Sequence, residues 1–255
     1  PLRCRNFTDQ KIEERVKSVS DTLRLSSFLN SPARKLTADQ KQLISLGRGL
    51  VREDVAGVLM DEPLTVIDPD LKFRLRRNLK EINEQYKTTL VYVTHDQNEA
   101  MTFADNIIVM DQGEIVQVGL PKDLFEKPRT TFVGYFIGSP AMNLFNSEIL
   151  SDNSIKFNND TIKTKTDLSK IKDKNVKLGI RSEFIKIATD QKENIVSVKV
   201  TRVEDFGNFK LITGKAGDLE IKSKVEREIP ISTEELKLHL PAEKCCIYSN
   251  EMLVN

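Results

Sequence analysis

Two short apolar runs constrain what this chain of 255 residues can fold into. The first run, Val58–Met60, is followed by Asp61-Glu62-Pro63, and the second, Thr89–Val93, is followed by Thr94-His95-Asp96. Apolar runs of this length are typical of buried strands in a parallel sheet. The charged amphipathic pattern over 71–86 predicts the crossover helix that parallel strands require. Together these patterns predict an α/β layer in which both strands end at one edge of the sheet.

Helical patterns precede the first strand. Apolar residues recur with helical spacing over 11–30, and a further helix is predicted to begin at Thr37. Thr37 and Gln40 have the spacing of a capping box, which satisfies free backbone N–H groups at a helix start. Such a start also attracts anions. The stretch is therefore either a plain cap or an altered phosphate site, because Asp39 places a carboxylate where an anion would bind.

The second half of the chain has a different character. Lys, Asn and Asp are frequent over 151–177, and later segments alternate apolar and polar residues between turn signals. Alternation of this kind predicts antiparallel strands in a small β barrel or sandwich. The segment 107–119 is predicted to be a hairpin with its turn at Asp111–Gly113.

Composition excludes several classes of protein. The net charge of +1 argues against an electrostatic nucleic-acid surface, so no nucleic-acid partner is expected. The cysteines have neither zinc-type nor redox spacing, which favours a reducing cytoplasm. No apolar run approaches the roughly 20 residues of a membrane-spanning helix.

The polar residues at the two strand ends suggest catalysis. Acids at the carboxyl end of a buried strand lie where α/β proteins bind ligands. Asp61 is suited to holding Mg²⁺, and Glu62 to orienting or deprotonating a water molecule. Acids also end strands at solvent without any such role, and a single histidine is more often a simple hydrogen-bonding group. His95 is expected at the same edge as the two acids, which favours a site.

Three segments carry a resemblance to a known family. LTADQKQLISLGRGLVRE, VLMDEPLTVIDPDL and VYVTHDQNEAMTFADNIIVMDQGEIVQVG resemble, in order and spacing, the signature motif, Walker B strand with D-loop, and H-loop of ABC transporter ATP-binding subunits. The segment 121–143 is similar to the subgroup that serves sugar, polyol and glycerol-phosphate importers. The resemblance implies a P-loop NTPase core of the ABC type with a parallel sheet and a helical signature region. It assigns 1–145 to the C-terminal part of the nucleotide-binding domain and 146–255 to an OB-type regulatory β domain.

The resemblance also implies roles for individual residues. Asp61 would contact the Mg²⁺ shell, Glu62 would be the general base for ATP hydrolysis, and His95 would sense the γ-phosphate. Asp68 would lie in the loop that crosses a dimer interface. Members of this family form head-to-tail dimers, in which the P-loop of one subunit and the signature helix of the other hold each ATP. ATP and Mg²⁺ are the implied cofactors.

Two departures from the family pattern limit this assignment. The sequence contains no G-x-x-x-x-G-K-[ST] loop, and we expect that loop upstream of Pro1 in a longer protein. This chain by itself is expected to bind ATP weakly or not at all. The usual Leu-Ser-Gly-Gly-Gln signature reads Leu36-Thr37-Ala38-Asp39-Gln40. By the resemblance, Thr37, Ala38, Asp39 and Gln40 would contact the nucleotide held by the P-loop of the second subunit. At about 4 Å and an effective dielectric constant of about 20, Asp39 would repel a phosphate charge by about 4 kcal/mol. This predicts a heterodimer with a homologous ATPase rather than a homodimer.

The expected function is that of an ATPase subunit energising import of a small polar solute, namely a sugar, a polyol, glycerol or glycerol-phosphate. Its expected partners are transmembrane permease subunits, a second ABC ATPase subunit and, indirectly, a periplasmic solute-binding protein. Its expected location is the cytoplasmic face of the bacterial inner membrane. A non-catalytic regulatory subunit is one alternative, favoured by Asp39 and opposed by the intact Glu62 and His95. A soluble ABC ATPase of DNA repair or translation is the other.

Overall fold

The structure, a computed structural model, describes residues 1–52, 55–86, 89–231 and 234–254. It divides into two compact units, Pro1–Ala104 and Asp105–Asn255. The division comes earlier in the chain than the predicted domain boundary after residue 145, because residues 120–142 pack against the β strands that follow them. The boundary predicted between a nucleotide-binding domain over 1–145 and an OB-type domain over 146–255 stays a prediction. No helix among the described residues is long and apolar enough to cross a membrane.

The first unit alternates helices and strands in the predicted order. Its elements are α1 (Asp9–Thr22), α2 (Ala38–Leu50), β1 (Gly57–Asp61), α3 (Pro69–Tyr86), β2 (Thr89–Val93) and α4 (Gln97–Phe103). The helix predicted over 11–30 is shorter than expected, because Arg24 has a positive φ of 56° and a 3-10 turn follows at Ser26–Phe28. Pro69 begins α3, where its fixed φ and missing N–H cost nothing.

Strands β1 and β2 pair in parallel, with register from Gly57↔Thr89 to Asp61↔Val93. This confirms the predicted parallel pair with a helical crossover. One face of the sheet packs on the core that α2 and α3 supply, which includes Leu43, Leu46, Leu50, Met60, Leu75 and Leu79. The other face is open: Leu59 is 81% exposed, and Val91 and Val93 are also exposed. The prediction that both strands are fully buried is therefore wrong here, because helices of this unit cover one face of the pair.

The second unit begins with the predicted hairpin, β3 (Ile107–Asp111) and β4 (Glu114–Gly119). Gln112 and Gly113 both have positive φ, 48° and 84°, which is the backbone of a type I′ turn. Two short helices follow, α5 (Pro121–Glu126) and α6 (Thr131–Phe136).

The remainder of the second unit is all β, as predicted. Its strands are β5 (Asn143–Ser151), β6 (Ser154–Phe157), β7 (Asp160–Lys163), β8 (Asn175–Ile180), β9 (Lys186–Ile187), β10 (Ile195–Asp205), β11 (Phe209–Ala216), β12 (Leu219–Glu226), β13 (Glu235–His239), β14 (Cys246–Ser249) and β15 (Met252–Leu253). They form a five-stranded sheet ordered β12-β11-β10-β13-β9 and a six-stranded sheet ordered β15-β14-β8-β5-β6-β7. Apolar residues from both sheets share one core, which includes Phe157, Leu178, Ile180, Val196, Ile221 and Leu238.

A fully buried arginine ties the two short helices to the β strands. Arg181, directly after β8, donates from Nε to the carbonyl of Phe125 (3.0 Å) and from Nη1 to the carbonyls of Gly134 (2.8 Å) and Ile137. Its guanidinium also lies over the Phe125 ring, 4.6 Å from the centroid. A Cβ at Gly138 would lie 2.7 Å from Nη1, so this position requires glycine. One side chain thus satisfies carbonyls at the ends of both α5 and α6.

We predict that Arg181→Met destabilises the protein by about 2–4 kcal/mol, because buried carbonyl groups lose their donor and each costs about 1–3 kcal/mol. Urea unfolding followed by circular dichroism measures the change. Arg202→Met is the matched control, since the Arg202 side chain is 69% exposed. Equal midpoints for the two variants would contradict this role of Arg181.

Candidate functional site

The carboxyl ends of β1 and β2 meet at one edge of the parallel pair. Asp61 lies opposite Val93 in the register, and the N–H of Glu62 donates to the carbonyl of Val93 at 2.9 Å. The ladder therefore extends one residue beyond β1. Glu62 then turns the chain with a φ of 44°, a left-handed conformation that is uncommon outside glycine. The backbone thus fixes Glu62 beside the end of β2, from which Thr94 and His95 continue.

The side chains of Glu62 and His95 are in direct contact. His95 Nδ1 lies 2.5 Å from Glu62 Oε1, and the hydroxyl of Thr65 donates to Glu62 Oε2 at 2.9 Å. Both oxygens of the carboxylate are therefore held, although the His95 side chain is 70% exposed. The structure brings together the two residues predicted to be catalytic.

This contact shifts the protonation of both groups. The hydrogen bonds from His95 and then Thr65 hold the pKa of Glu62 below its ordinary value. The hydrogen bond to the Glu62 carboxylate, together with its charge, raises the pKa of His95. The contact therefore favours the ionised form of the Glu62 carboxylate.

Asp61 and Asp68 flank this pair along the chain. Asp61 is exposed at the end of β1 and lines a cavity of about 140 Å³ with Gln42, Ser45 and Pro63. Asp68 is exposed, and its carbonyl accepts the N–H of Lys72 at 2.8 Å in the first turn of α3. The described residues contain no cluster of three or more acidic, histidine or cysteine ligands. One carboxylate still fits Mg²⁺, which is commonly bound by one or two carboxylates together with phosphates and water.

Residues 37–40 form the start of α2, as predicted. Thr37 is the N-cap of a capping box with Gln40, and its N–H donates to Gln40 Oε1 at 3.1 Å. The Thr37 hydroxyl donates to the Asp39 carboxylate and thereby lowers the pKa of Asp39. The helix start therefore carries a fixed negative charge. In the part of the chain that the structure describes, no hydrogen bond or ion pair joins residues 37–40 to Glu62 or His95.

Sequence reasoning missed two groups near the contact. Thr65 lies three residues after Glu62, the spacing of a turn, and its hydroxyl also donates to the backbone carbonyl of Glu62. Glu99 is an acid on α4 that is only 3% exposed, and its carboxylate accepts a hydrogen bond from the hydroxyl of Thr94, the residue before His95. The sequence shows that Glu99 lies three residues after Asp96, the N-cap of α4. Its burial depends on contacts with Lys72 and Arg76 of α3, which the sequence does not show.

Comparison with known proteins covers both halves of the chain. The family model of the MalK OB fold domain matches residues 138–185, which confirms the OB-type fold in the β half. The chain is 35% identical over 254 residues to the sn-glycerol-3-phosphate import ATP-binding protein UgpC of Pectobacterium atrosepticum. That match spans 98% of this chain and 70% of the relative.

A second relative is the trehalose/maltose import ATP-binding protein MalK of Thermococcus litoralis. It is 37% identical over 228 residues, which are 85% of this chain and 61% of that protein. Among solved structures, an ATP-binding cassette of an ABC transporter in its ADP conformation aligns with a TM-score of 0.41 and 22% identity, over 48% of this chain and 49% of that chain.

We predict that the Glu62–His95 contact holds only within a pH window. Because the His95 pKa is raised, the charged pair weakens as the pH rises through the His95 pKa. Because the Glu62 pKa is lowered, the pair also weakens as the pH falls through the Glu62 pKa. NMR titration of the His95 imidazole should give a midpoint above the ordinary histidine value of about 6.5. Glu62→Gln should bring the midpoint down. A midpoint unaffected by that substitution would contradict the contact.

Proposed function

The chain belongs to the family of ATP-binding subunits of ABC importers, and on that premise we propose that it binds and hydrolyses ATP to energise import of a small polar solute. The observation that carries this proposal is the Glu62–His95 contact at the edge of the parallel pair. The names of the two relatives refer to glycerol-3-phosphate and to trehalose/maltose. We therefore propose a sugar, a polyol, glycerol or glycerol-phosphate as the class of solute.

Glu62 is proposed as the general base. Its carboxylate is ionised and held through both oxygens, so it is oriented to accept a proton from the water that attacks the γ-phosphorus. His95 is proposed as the γ-phosphate contact. Because Nδ1 is engaged by Glu62, Nε2 is the ring nitrogen available to a phosphate oxygen.

Asp61 is proposed to hold Mg²⁺. Its exposed carboxylate is a hard oxygen ligand at the end of β1, one residue before the base. The ion, when bound with ATP, neutralises charge on the phosphate oxygens. Asp68, at the start of α3, is proposed to face a second ATP-binding subunit.

Residues 37–40 are proposed to complete the ATP site of that second subunit, because free N–H groups at a helix start attract phosphate. Asp39 opposes this with a negative charge, and Ala38 and Asp39 occupy positions where glycine would let the backbone approach the phosphate closely. The site formed with this helix is then weaker than the site that contains Glu62. We therefore propose an asymmetric dimer with a homologous subunit.

The proposed setting follows from the family. The two ATP-binding subunits would dock on transmembrane permease subunits at the cytoplasmic face of the inner membrane, and a periplasmic solute-binding protein would deliver the solute. A regulatory subunit without turnover is the second candidate, which the charge of Asp39 favours.

We predict that Glu62→Gln lowers the ATPase rate at least 100-fold, the scale of a lost general base. The assay measures ATP hydrolysis by the protein assembled with its permease subunits. Glu81→Gln is the matched control, because Glu81 is exposed and pairs with Arg77 on the surface of α3. An unchanged rate in the Glu62 variant would rule out this base, and no turnover in the wild type would favour the regulatory candidate.

We also predict that Asp39→Asn strengthens nucleotide-dependent association with the partner subunit about ten-fold or more, because it removes a charge that repels phosphate. Association is measured by analytical ultracentrifugation with and without ATP. Asp9→Asn removes the same charge from the first turn of α1 and is the control. Equal effects of the two substitutions would return residues 37–40 to the role of a plain helix cap. Full cooperative turnover by this subunit without the homologue would rule out the asymmetric dimer.

A further inference from the structure

Glu99 is a buried carboxylate whose two oxygens both have hydrogen-bond or ion-pair partners. It is 3% exposed on α4, and its Oε2 accepts hydrogen bonds from the Tyr92 hydroxyl at 2.8 Å and the Thr94 hydroxyl at 3.1 Å. Its Oε1 lies 3.4 Å from Lys72 Nζ and 3.7 Å from Arg76 Nη1. Both oxygens and the charge are therefore compensated, as a buried carboxylate requires.

The residues on both sides of His95 are tied to Glu99, Thr94 to its carboxylate and Asp96 to its backbone N–H. Thr94 donates its hydroxyl proton to Glu99 and accepts the N–H of Asp96 at 3.0 Å. Asp96 in turn caps α4, since its Oδ1 accepts the N–H groups of Asn98 at 2.8 Å and Glu99 at 3.3 Å. A closed ring of hydrogen bonds thus joins Thr94, Asp96 and Glu99. His95 lies in the sequence between Thr94 and Asp96.

His95 itself has little else to hold it. Its side chain is 70% exposed, so packing does not fix the imidazole, and its contact with Glu62 depends on where the backbone presents the ring. The backbone at His95 follows from the hydrogen bonds of its two neighbours. The direction of the exposed imidazole is therefore set by a buried group that does not touch it.

We infer that Glu99 is a positioning residue that, through Thr94 and Asp96, holds His95 against Glu62 for the reaction. This inference rests on the proposed function for its catalytic consequence. The geometric part, that the ring of hydrogen bonds determines the His95–Glu62 contact, stands on the distances above.

The charges around Glu99 extend its influence to α3. Lys72 and Arg76 lie on the first turns of α3, and the N–H of Lys72 bonds the carbonyl of Asp68. Glu99 therefore joins the end of β2 to the helix that begins beside Asp68. Burial and the Glu99 carboxylate raise the pKa of Tyr92, so its hydroxyl stays protonated as a donor.

The test removes one hydroxyl without changing any charge. Thr94→Val has nearly the shape of threonine but breaks the ring, whereas Thr94→Ser restores the hydroxyl. Thr102→Val is the matched control, because the Thr102 hydroxyl bonds backbone carbonyls of α4 and not the Glu99 carboxylate. The groups that act on His95 are Glu62, Asp96 and Glu99, and all three stay in place.

The first readout is imidazole NMR of the full chain without nucleotide. The chain has two histidines, so His239 supplies a reference signal from the other unit. We expect the His95 titration midpoint to fall toward the ordinary histidine value in Thr94→Val and to stay raised in Thr94→Ser and Thr102→Val. A midpoint in Thr94→Val equal to that of the wild type would overturn the inference. If Thr94→Val does not fold, Thr94→Ala removes the same hydroxyl with a smaller side chain and has the same two outcomes.

The second readout is the steady-state ATPase activity of the protein assembled with its permease subunits. We expect Thr94→Val to lower kcat about 10- to 100-fold with little change in KM for ATP, as for a misplaced catalytic group, and Thr94→Ser to recover most of the rate. Equal kcat values for Thr94→Val and Thr102→Val would also overturn the inference. A wild type with no turnover would contradict the proposed function, while the NMR readout would still decide the positioning role.

Discussion

The hydrogen bond from the N–H of Glu62 to the carbonyl of Val93 is the contact on which the candidate site depends. It adds a step to the parallel ladder after β1 has ended, so the chain cannot turn away before Glu62 is level with the end of β2. The left-handed backbone of Glu62 is sustained by this bond. Without this bond, Glu62 would lie in a solvated loop, and the backbone would not hold its carboxylate beside His95.

The candidate site consists of an exposed pair, Glu62 and His95, supported by the buried carboxylate of Glu99. Glu62 and His95 are accessible, as their proposed roles at a phosphate require, and so packing does little to fix their side chains. The Glu99 carboxylate supplies the missing order from inside the unit, where its partners are fixed by the core of α3 and β2. Binding groups at loop ends positioned by a rigid scaffold are a general feature of α/β proteins. Here the scaffold is a hydrogen-bonded ring rather than a packed side chain.

Sequence alone predicted much of this arrangement, for physical reasons that also explain what it missed. Apolar runs that end in polar residues predicted the two strands and their common edge, because parallel strands align their carboxyl ends. The exposure of Leu59 could not be predicted, since it depends on which elements cover each face. Thr65 and Glu99 were missed because their roles come from a turn geometry and from packing on α3, not from a motif. The packing of residues 120–142 on the β strands was missed because it depends on Arg181, far along the chain, which bonds carbonyls of α5 and α6.

The most direct test of the proposed nucleotide site is NMR of the His95 imidazole in this protein during titration with ATP and Mg²⁺. We expect a saturable change in the His95 signal, with the His239 signal unaffected, because His95 belongs to the proposed nucleotide site and His239 lies in the other unit. ATP hydrolysis with no change at His95 would contradict it.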